Sequence, residues 1–585
     1  LPWGFSSKYG QPENGYLFIF IFFIIILIIF FSLINLRQVI CLPKISAIDL
    51  LLFFYISFAL ISSILTSTKF SFSFVLELIG YTLVYVVIRT IKINPVILLV
   101  FLLLSGLAQA VYGNLQLYGF YPSHHSLFKM TGSFFNPGPY AGYLVSILPV
   151  AIALSLFKYR NILINSDTYI ATVEKNVPNH SVSSHGQDSF FKLSQFSSKI
   201  KQKFFYEKWI TLYPFFIKYL TTITIIAILL VLPASKSRAA WMAALTSFLF
   251  ILGNAWYFGS IGKTNPTFLK WMTKFGRMYK STFVKIIVII IVFAIFSGGL
   301  FALYNMKKGS ANGRLFIWKV TVQMIKQKPL FGHGLNKFDA HYMNYQAEYF
   351  KKEPTSNESF VADNTKYAFN ELLRITSETG IIGLSICLAI LYFVLFGKSI
   401  QLSQNEKLLL ISLRAAILAI IVFGLFSYPA KILPIKLNFI LFLALSTNYI
   451  VPLRNIKFNN VGITKVGLNK LKRRKNGKTG FARIIITFWF LSVLYYVSIN
   501  GYKLYHANLE WKIAFTTYQM GAYQASIKDY TKAYPLLRFN GDFLLSYGKA
   551  LSMADEHKKA IDILEYAKNY YPNTILYTAL GDSYK

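Results

Sequence analysis

The chain has 585 residues, of which 55% are hydrophobic and 14% are charged. A soluble protein of this length needs more polar surface than that, so lipid must cover much of the molecule. The formal net charge of +37 would favour nucleic-acid binding in a soluble protein, but the basic residues are concentrated in a few loops between apolar stretches, which argues against that class.

Apolar stretches long enough to cross about 30 Å of hydrocarbon recur along the chain, and the first of them, 15–36, contains no charge. The first residue is Leu rather than Met, so the sequence leaves room for a preceding helix. About twelve spans are predicted, near 15–36, 46–66, 72–90, 95–113, 140–157, 216–234, 238–258, 284–304, 380–397, 407–427, 432–451 and 483–500.

Three basic connectors, 158–215, 259–283 and 452–482, are predicted to be cytoplasmic, with anionic lipid head groups as their partner. Because each span reverses the direction of the chain, this choice puts the large loop 305–378 and everything from 501 outside. It also puts 114–139 and the turn at 235–237 outside. The connector 158–215 is rich in Ser and Lys and is expected to be disordered or loosely amphipathic.

From Trp511 the pattern changes to short amphipathic helices in pairs. The units 521–535 and 557–572 resemble two tetratricopeptide repeats, with a third interrupted at the end of the chain. Small residues recur at about the 34-residue period of such repeats, at Ala525 and Ala560, Ala533 and Ala567, and Gly548 and Gly581. Such a stack binds a partner protein or serves as a structural cap. The prediction is an all-α fold, with a polytopic membrane domain over 1–500 and a periplasmic α-helical repeat domain over 501–585.

Polar residues at the outer ends of spans are the candidates for function, since an ionisable group near hydrocarbon is costly. Arg238, in ASKSRAAW, has no carboxylate near it in sequence. Its planar guanidinium suits an external diphosphate, although an interfacial arginine that contacts lipid phosphate would have the same position.

The loop 305–378 carries a second cluster. Arg314 and Trp318 are predicted on one face of a helix that starts near Asn312 and ends before Pro329. An arginine in the first turn opposes the helix dipole, which favours an external anion there.

Two more clusters adjoin spans on the outer face. The stretch ADNTKYAFNELLRITSETGIIGL is predicted to run as a polar helix into the span at Gly380, and TGSFFNPGPYAGYL re-enters the membrane. Their candidate substrate-binding residues are Lys366, Asn370, Arg374 and Asn136. The two cysteines, Cys41 and Cys387, offer neither a disulfide framework nor a metal cluster.

Together and in this order, the four clusters resemble the O-antigen ligase family, which shares its membrane domain with O-antigen polymerases and bacterial protein O-oligosaccharyltransferases. The resemblance covers about 95–451. It is carried by F-x-N-P-x-x-x-A-x-Y-L at 134–144, S-R-A-A-W at 237–241, G-R-x-x-x-W with K-x-P-L-F-G-x-G at 313–334, and N-E-x-L-x-x-x-x-E-T-G-x-x-G-L at 370–384.

The resemblance implies a metal-independent glycosyltransferase without a cofactor. It would move a glycan from undecaprenyl diphosphate to an acceptor hydroxyl, on a lipid A-core sugar or a protein Ser or Thr, at the periplasmic face of the bacterial inner membrane. Arg238 and Arg314 match the family arginines that hold the diphosphate. An O-antigen polymerase, a glycolipid transporter or flippase, and a scaffold that recruits partners through the repeats are the alternatives.

One position departs from the family pattern. A His usually precedes the Asn of the last motif and is the presumed base, but this chain has Phe369 there, and a phenyl ring takes no proton. Glu371 and Asp363 are the first candidates to replace that base, and His333 is the next. Otherwise the chemistry depends on stabilising the leaving group alone.

Overall fold

The computed structural model describes residues 44–65, 72–90, 94–156, 215–257, 308–453 and 468–585. Throughout these ranges the regular structure is helical, apart from one isolated bridge between Ser399 and Ile450. The all-α prediction is therefore confirmed for the described residues. The predicted spans 15–36 and 284–304 and most of the connectors 158–215 and 259–283 lie outside them.

The helices follow the predicted spans closely. In the membrane part they are α1 (Ala47–Leu65), α2 (Phe72–Thr90), α3 (Pro95–Leu117), α4 (Pro137–Ser155), α5 (Phe215–Ala234), α6 (Arg238–Tyr257), α9 (Glu371–Phe396), α10 (Gln404–Gly424) and α11 (Leu433–Thr447). The outer loop, 308–370, contains α7 (Lys308–Gln327) and α8 (Phe338–Lys352). A long α12 (Leu468–Gln519) leads into α13 (Tyr523–Leu537), α14 (Gly541–Met553), α15 (His557–Ala567) and α16 (Thr574–Tyr584).

Seven of the described helices, α1 to α5, α9 and α10, are long and apolar enough to cross a membrane. α4 and α10 are 78% and 72% buried, whereas α1 is 22% buried. The first two therefore form the centre of the bundle, whereas the described residues leave most of α1 uncovered. α6 coincides with the span that was predicted at 238–258.

Local signals explain where several helices begin. Asn94 and Asn136 each precede a proline, and their side-chain oxygens accept from the backbone N–H groups of Val96 and Gly138. An asparagine cap followed by proline is a strong start signal, because proline supplies the helical φ and lacks the N–H that would go unpaired.

Polar contacts tie the helix ends together at two opposite ends of the bundle. At one end, buried Arg89 of α2 bonds the Asp49 carboxylate and Asn448. At the other, the Ser62 hydroxyl at the end of α1 donates to the Phe331 carbonyl of the outer loop at 2.5 Å. The outer loop thus sits directly on one end of the bundle.

Two boundaries differ from the prediction. The span expected at 483–500 belongs to the 52-residue α12, which includes the later part of the predicted connector 452–482 and continues past 501. α7 begins at Lys308 rather than near Asn312. Arg314 therefore lies in the second turn of α7, and the argument from a first-turn arginine was wrong.

The helices of the tail, 501–585, pack in antiparallel pairs around a shared core. Ala533, Ala560 and Ala567 are fully buried in it, and a Cβ on Gly548 would come within 2.5 Å of Leu564. Their predicted role in close packing is confirmed. Ala525 and Gly581 are exposed instead, because the faces that carry them are not covered by another described helix.

Candidate functional site

The outer loop has its own apolar core, which places α7 and α8 side by side. Phe316, Val320 and Met324 of α7 pack against Phe338 and Tyr342 of α8 in this core. Residues four apart in α7 lie on one face, so Arg314 and Trp318 share a face next to the core. That face is directed towards residues 367–369.

Two arginines from distant parts of the sequence lie close enough for their charges to interact. Arg238 is the first residue of α6. The tight turn before α6 is fixed by Trp241, whose indole N–H donates to the Leu232 carbonyl at 2.9 Å. Arg314 comes from α7. Burial lowers the pKa of Arg314, and the positive charge of Arg238 lowers it further. That both arginines line one site stays a prediction.

Three aromatic residues form the wall against Arg314. The Arg314 guanidinium lies 5.1 Å from the centroid of the Phe369 ring, a cation–π contact. Tyr367 stacks on Tyr428 at 4.0 Å, and Phe369 meets the same Tyr428 ring edge-on at 5.3 Å. Trp318 donates its indole N–H to the Ala368 carbonyl at 3.0 Å. We call residues 367–369 the aromatic segment.

Phe369 is strained. Its φ of 50° is in the left-handed region, which is unusual for a bulky side chain and costs on the order of 1–3 kcal/mol. Such a conformation persists only where neighbouring contacts hold it. Position 369, where the resemblance leads one to expect a histidine, therefore places an apolar ring over the half-buried Arg314 guanidinium.

The carboxylate of Glu371 is fully engaged. One of its oxygens accepts from Arg374 Nε at 2.6 Å, and the other accepts from the Ala430 backbone N–H at 3.0 Å. Arg374 also donates to Glu378, which is completely buried, at 2.6 Å. Arg374 thus lies between two carboxylates inside the protein. The Glu371 contact joins the start of α9 to the turn 428–431, which carries Tyr428.

His333 lies in a turn that interlocks with α9. The backbone N–H groups of His333 and Gly334 donate to the Ser377 and Glu378 carbonyls, both at 2.9 Å. The His333 side chain is 3% exposed, and its Nε2–H donates to the Met324 carbonyl at 3.0 Å. Burial lowers its pKa, so the ring is neutral and faces the interior of the loop.

Glycines make this interlock possible. Gly332 and Gly380 both have positive φ, 70° and 67°. A Cβ on Gly380 would lie 2.0 Å from the Leu330 carbonyl oxygen, and one on Gly332 would lie 2.4 Å from the Glu378 carbonyl carbon. The F-G-x-G motif at 331–334 and the E-T-G motif at 378–380, which are far apart in sequence, are thus two halves of one backbone contact.

The other predicted residues lie around this centre. Asn370 and Asn136 cap α9 and α4 through their side-chain oxygens. Asp363 is exposed and accepts from the Asn364 backbone N–H at 2.7 Å. Lys366 is paired with Asp542 of the tail. The structure brings the 363–374 stretch and Arg314 together, whereas Asn136 belongs to the start of α4.

Sequence reasoning missed Tyr428 and Lys431. They flank Pro429 in a short turn between two predicted spans, on the same outer face as the large loop. Lys431 donates to Asn336 of the outer loop at 2.6 Å. Burial raises the pKa of Tyr428 to about 12 although Arg314 opposes the shift, so the phenol stays protonated. A polar turn facing the same compartment as the other clusters was the available signal.

Comparisons with known proteins agree with this arrangement. Residues 223–388 match the O-antigen ligase family, a segment that contains Arg238, Arg314 and the start of α9. A Rickettsia conorii protein provisionally named a polysaccharide ligase is 31% identical over 131 residues, which are 21% of this chain and 28% of that relative. The match thus spans well under a third of the relative's length. No solved structure matches the chain.

Proposed function

We propose that this chain, which carries an O-antigen ligase domain over residues 223–388, is a membrane glycosyltransferase. It takes a glycan from undecaprenyl diphosphate and transfers it to an acceptor hydroxyl at the periplasmic face of the inner membrane. The observation that supports this most is the proximity of Arg238 and Arg314 beside the aromatic segment.

Two positive charges near each other, one of them half-buried, repel each other, and a bound anion would offset that repulsion. A diphosphate carries enough negative charge to do so, and the guanidinium fork binds its oxygens in a bidentate manner. The arginines come from α6 and α7, and other helices hold both elements in place. The site is therefore organised before the lipid-linked substrate binds.

The same geometry favours transfer over binding alone. The acceptor oxygen bonds to the anomeric carbon while the bond from that carbon to the diphosphate oxygen breaks. The electron pair goes to the diphosphate, and the two arginines stabilise its growing charge. The Phe369 ring over Arg314 keeps water away, which strengthens the field at the leaving group. Two guanidinium groups supply the stabilisation that a metal ion supplies in other transferases.

Two of the three candidate bases, Glu371 and His333, are engaged elsewhere, and the third, Asp363, is exposed on the loop before the aromatic segment. Glu371 already accepts from Arg374 and Ala430, and His333 faces the interior of the loop. We assign Glu371 to positioning: it fixes the turn that carries Tyr428. The acceptor proton then passes to water or to the departing diphosphate as charge develops there.

The acceptor is a sugar of lipid A-core or a protein hydroxyl, and a second lipid-linked glycan would make the enzyme a polymerase. The three differ only in the acceptor. Purified lipid-linked glycan offered with each acceptor in turn distinguishes them. Anionic head groups next to the basic connectors complete the set of partners.

The direct test uses Arg238→Ala and Arg314→Ala in that transfer assay. Each variant is expected to lose roughly 10²–10³-fold in kcat, as the loss of one group that stabilises developing charge does elsewhere. Arg538→Ala, which removes an exposed arginine of the tail, is the matched control and keeps full activity. Transfer at the wild-type rate in both site variants would contradict the mechanism.

A further inference from the structure

The tail contacts the outer loop immediately before the aromatic segment. The Lys366 ammonium pairs with both carboxylate oxygens of Asp542 in the first turn of α14. Two residues earlier, the Asn364 amide donates to the Thr574 hydroxyl of α16 at 2.8 Å and accepts from the Thr574 backbone N–H at 3.2 Å. Two helices of the tail thus hold the stretch 364–366.

An apolar contact accompanies these polar ones. Tyr571, in the turn before α16, is 7% exposed and belongs to the core of the outer loop together with Ala368, Phe338 and Tyr342. The Lys366 ammonium lies 4.6 Å from the centroid of the Tyr571 ring. Tyr571 therefore sits inside the loop and adjoins the aromatic segment itself.

The tail is also anchored at its base. Val497 and Leu504 of α12 share a buried cluster with Leu76 and Leu83 of α2 and with the core of the tail. The stem of the tail is thus packed against a membrane span while its far end holds the outer loop. Because the tail is fixed at both ends, its contacts hold the outer loop in place relative to the membrane helices.

We propose that the tail is a positioning element of the transferase site, with Asp542 and Tyr571 as positioning residues; this rests on the proposed function. Phe369 is strained and needs support from its surroundings. Trp318 of α7 bonds the neighbouring Ala368 carbonyl, and Tyr428 meets the Phe369 ring edge-on. Asp542 and Tyr571 hold the residues just before it and so keep its ring against Arg314.

Charge reversal tests this role. Asp542→Lys sets two ammonium groups against each other, as Lys366→Asp does with two carboxylates. Each single variant is expected to lower kcat roughly tenfold while KM for the lipid-linked donor stays within about twofold, since like charges in contact are strongly unfavourable. The exchanged pair, Lys366→Asp with Asp542→Lys, restores kcat to within about threefold. Glu565→Lys is the control, because Glu565 pairs with Lys568 of its own helix, and it keeps full activity.

A second measurement does not depend on activity. In a Cys41→Ser, Cys387→Ser background, Asn364→Cys with Thr574→Cys is expected to form a disulfide, because these side chains already touch. The cross-link detected by mass spectrometry reports docking directly. Oxidation is also expected to restore the kcat of the Asp542→Lys variant.

Single reversals that transfer at the wild-type rate, or an exchanged pair no better than the singles, would overturn the positioning role while leaving the transferase intact. Failure of the cross-link to form would show that the tail does not dock. If the wild-type protein has no transfer activity, the proposed function and the positioning role are both overturned. Formation of the cross-link in the cysteine variant would then support only the contact between the tail and the outer loop.

Discussion

Gly380→Ala should break the contact between the outer loop and α9. Gly380 has φ 67° and ψ −173°, a region essentially restricted to glycine, so alanine pays about 1–3 kcal/mol in backbone strain. The added Cβ would also lie 2.0 Å from the Leu330 oxygen and 2.2 Å from its carbonyl carbon. These are backbone atoms, so the turn 329–334 must move.

Moving that turn breaks backbone hydrogen bonds. His333 and Gly334 donate to α9, and Ile381 donates to Pro329 at 2.8 Å. With each of these bonds contributing about 1 kcal/mol and the strain about 1–3 kcal/mol, the expected loss in the free energy of unfolding is roughly 4–6 kcal/mol. Gly253→Ala is the control. It lies within α6 with nothing within 4 Å of the added Cβ, and should stabilise by about 0.5–1 kcal/mol.

The assay is thermal unfolding of both variants in the same lipid nanodiscs. In a chain of 585 residues, Gly380→Ala is expected to lower the apparent midpoint by roughly 3–5 °C, whereas Gly253→Ala leaves it unchanged or slightly raised. A Gly380→Ala protein that unfolds with the wild-type midpoint would refute the interlock.

Three further predictions concern the buried groups. Arg374→Ala should cost about 3–5 kcal/mol of stability, because it leaves the buried carboxylates of Glu371 and Glu378 uncompensated; adding Glu371→Gln and Glu378→Gln should recover most of the midpoint, and no recovery would argue against the triad. Phe369→Leu keeps an apolar side chain but removes the π face over Arg314, so kcat/KM should fall roughly threefold to tenfold. An unchanged kcat/KM would show that the cation–π contact does not contribute to transfer. Burial, with a smaller contribution from His333, lowers the pKa of His341 to about 4. As pH falls, the unfolded chain binds the proton first, so the free energy of unfolding decreases by at most roughly 3 kcal/mol between about pH 6.5 and about pH 4. In His341→Gln the unfolding midpoint should depend less on pH over that window.

Helix positions were predictable from the sequence because the signals are local. Apolar runs of spanning length and the Asn-Pro starts at 94 and 136 lie within single helices. The start of α7 was misplaced since Gly309, Asn312 and Gly313 resemble a helix boundary. The structure continues α7 through them because the apolar face that begins at Phe316 packs on α8.

The candidate site was predictable in part. Arg238 stood out because it has no carboxylate near it in sequence, and Arg314 because it was expected in the first turn of a helix, where the structure instead has it in the second. The pairing of Gly332 with Gly380, the stacking of Tyr367 on Tyr428 and the docking of Tyr571 join segments far apart in the chain. No local periodicity reports such contacts. The left-handed conformation of Phe369 was also beyond prediction, since bulky residues avoid it.

The central claim is that Arg238 and Arg314 together hold a lipid diphosphate. Binding of undecaprenyl diphosphate and undecaprenyl monophosphate to the protein in nanodiscs tests it most directly. The wild-type protein should prefer the diphosphate by roughly tenfold or more, since charge-assisted hydrogen bonds contribute about 1.5–3 kcal/mol each, and either Arg→Gln variant should lose that preference. A wild-type protein that binds both lipids equally, or variants that keep the preference, would contradict the account.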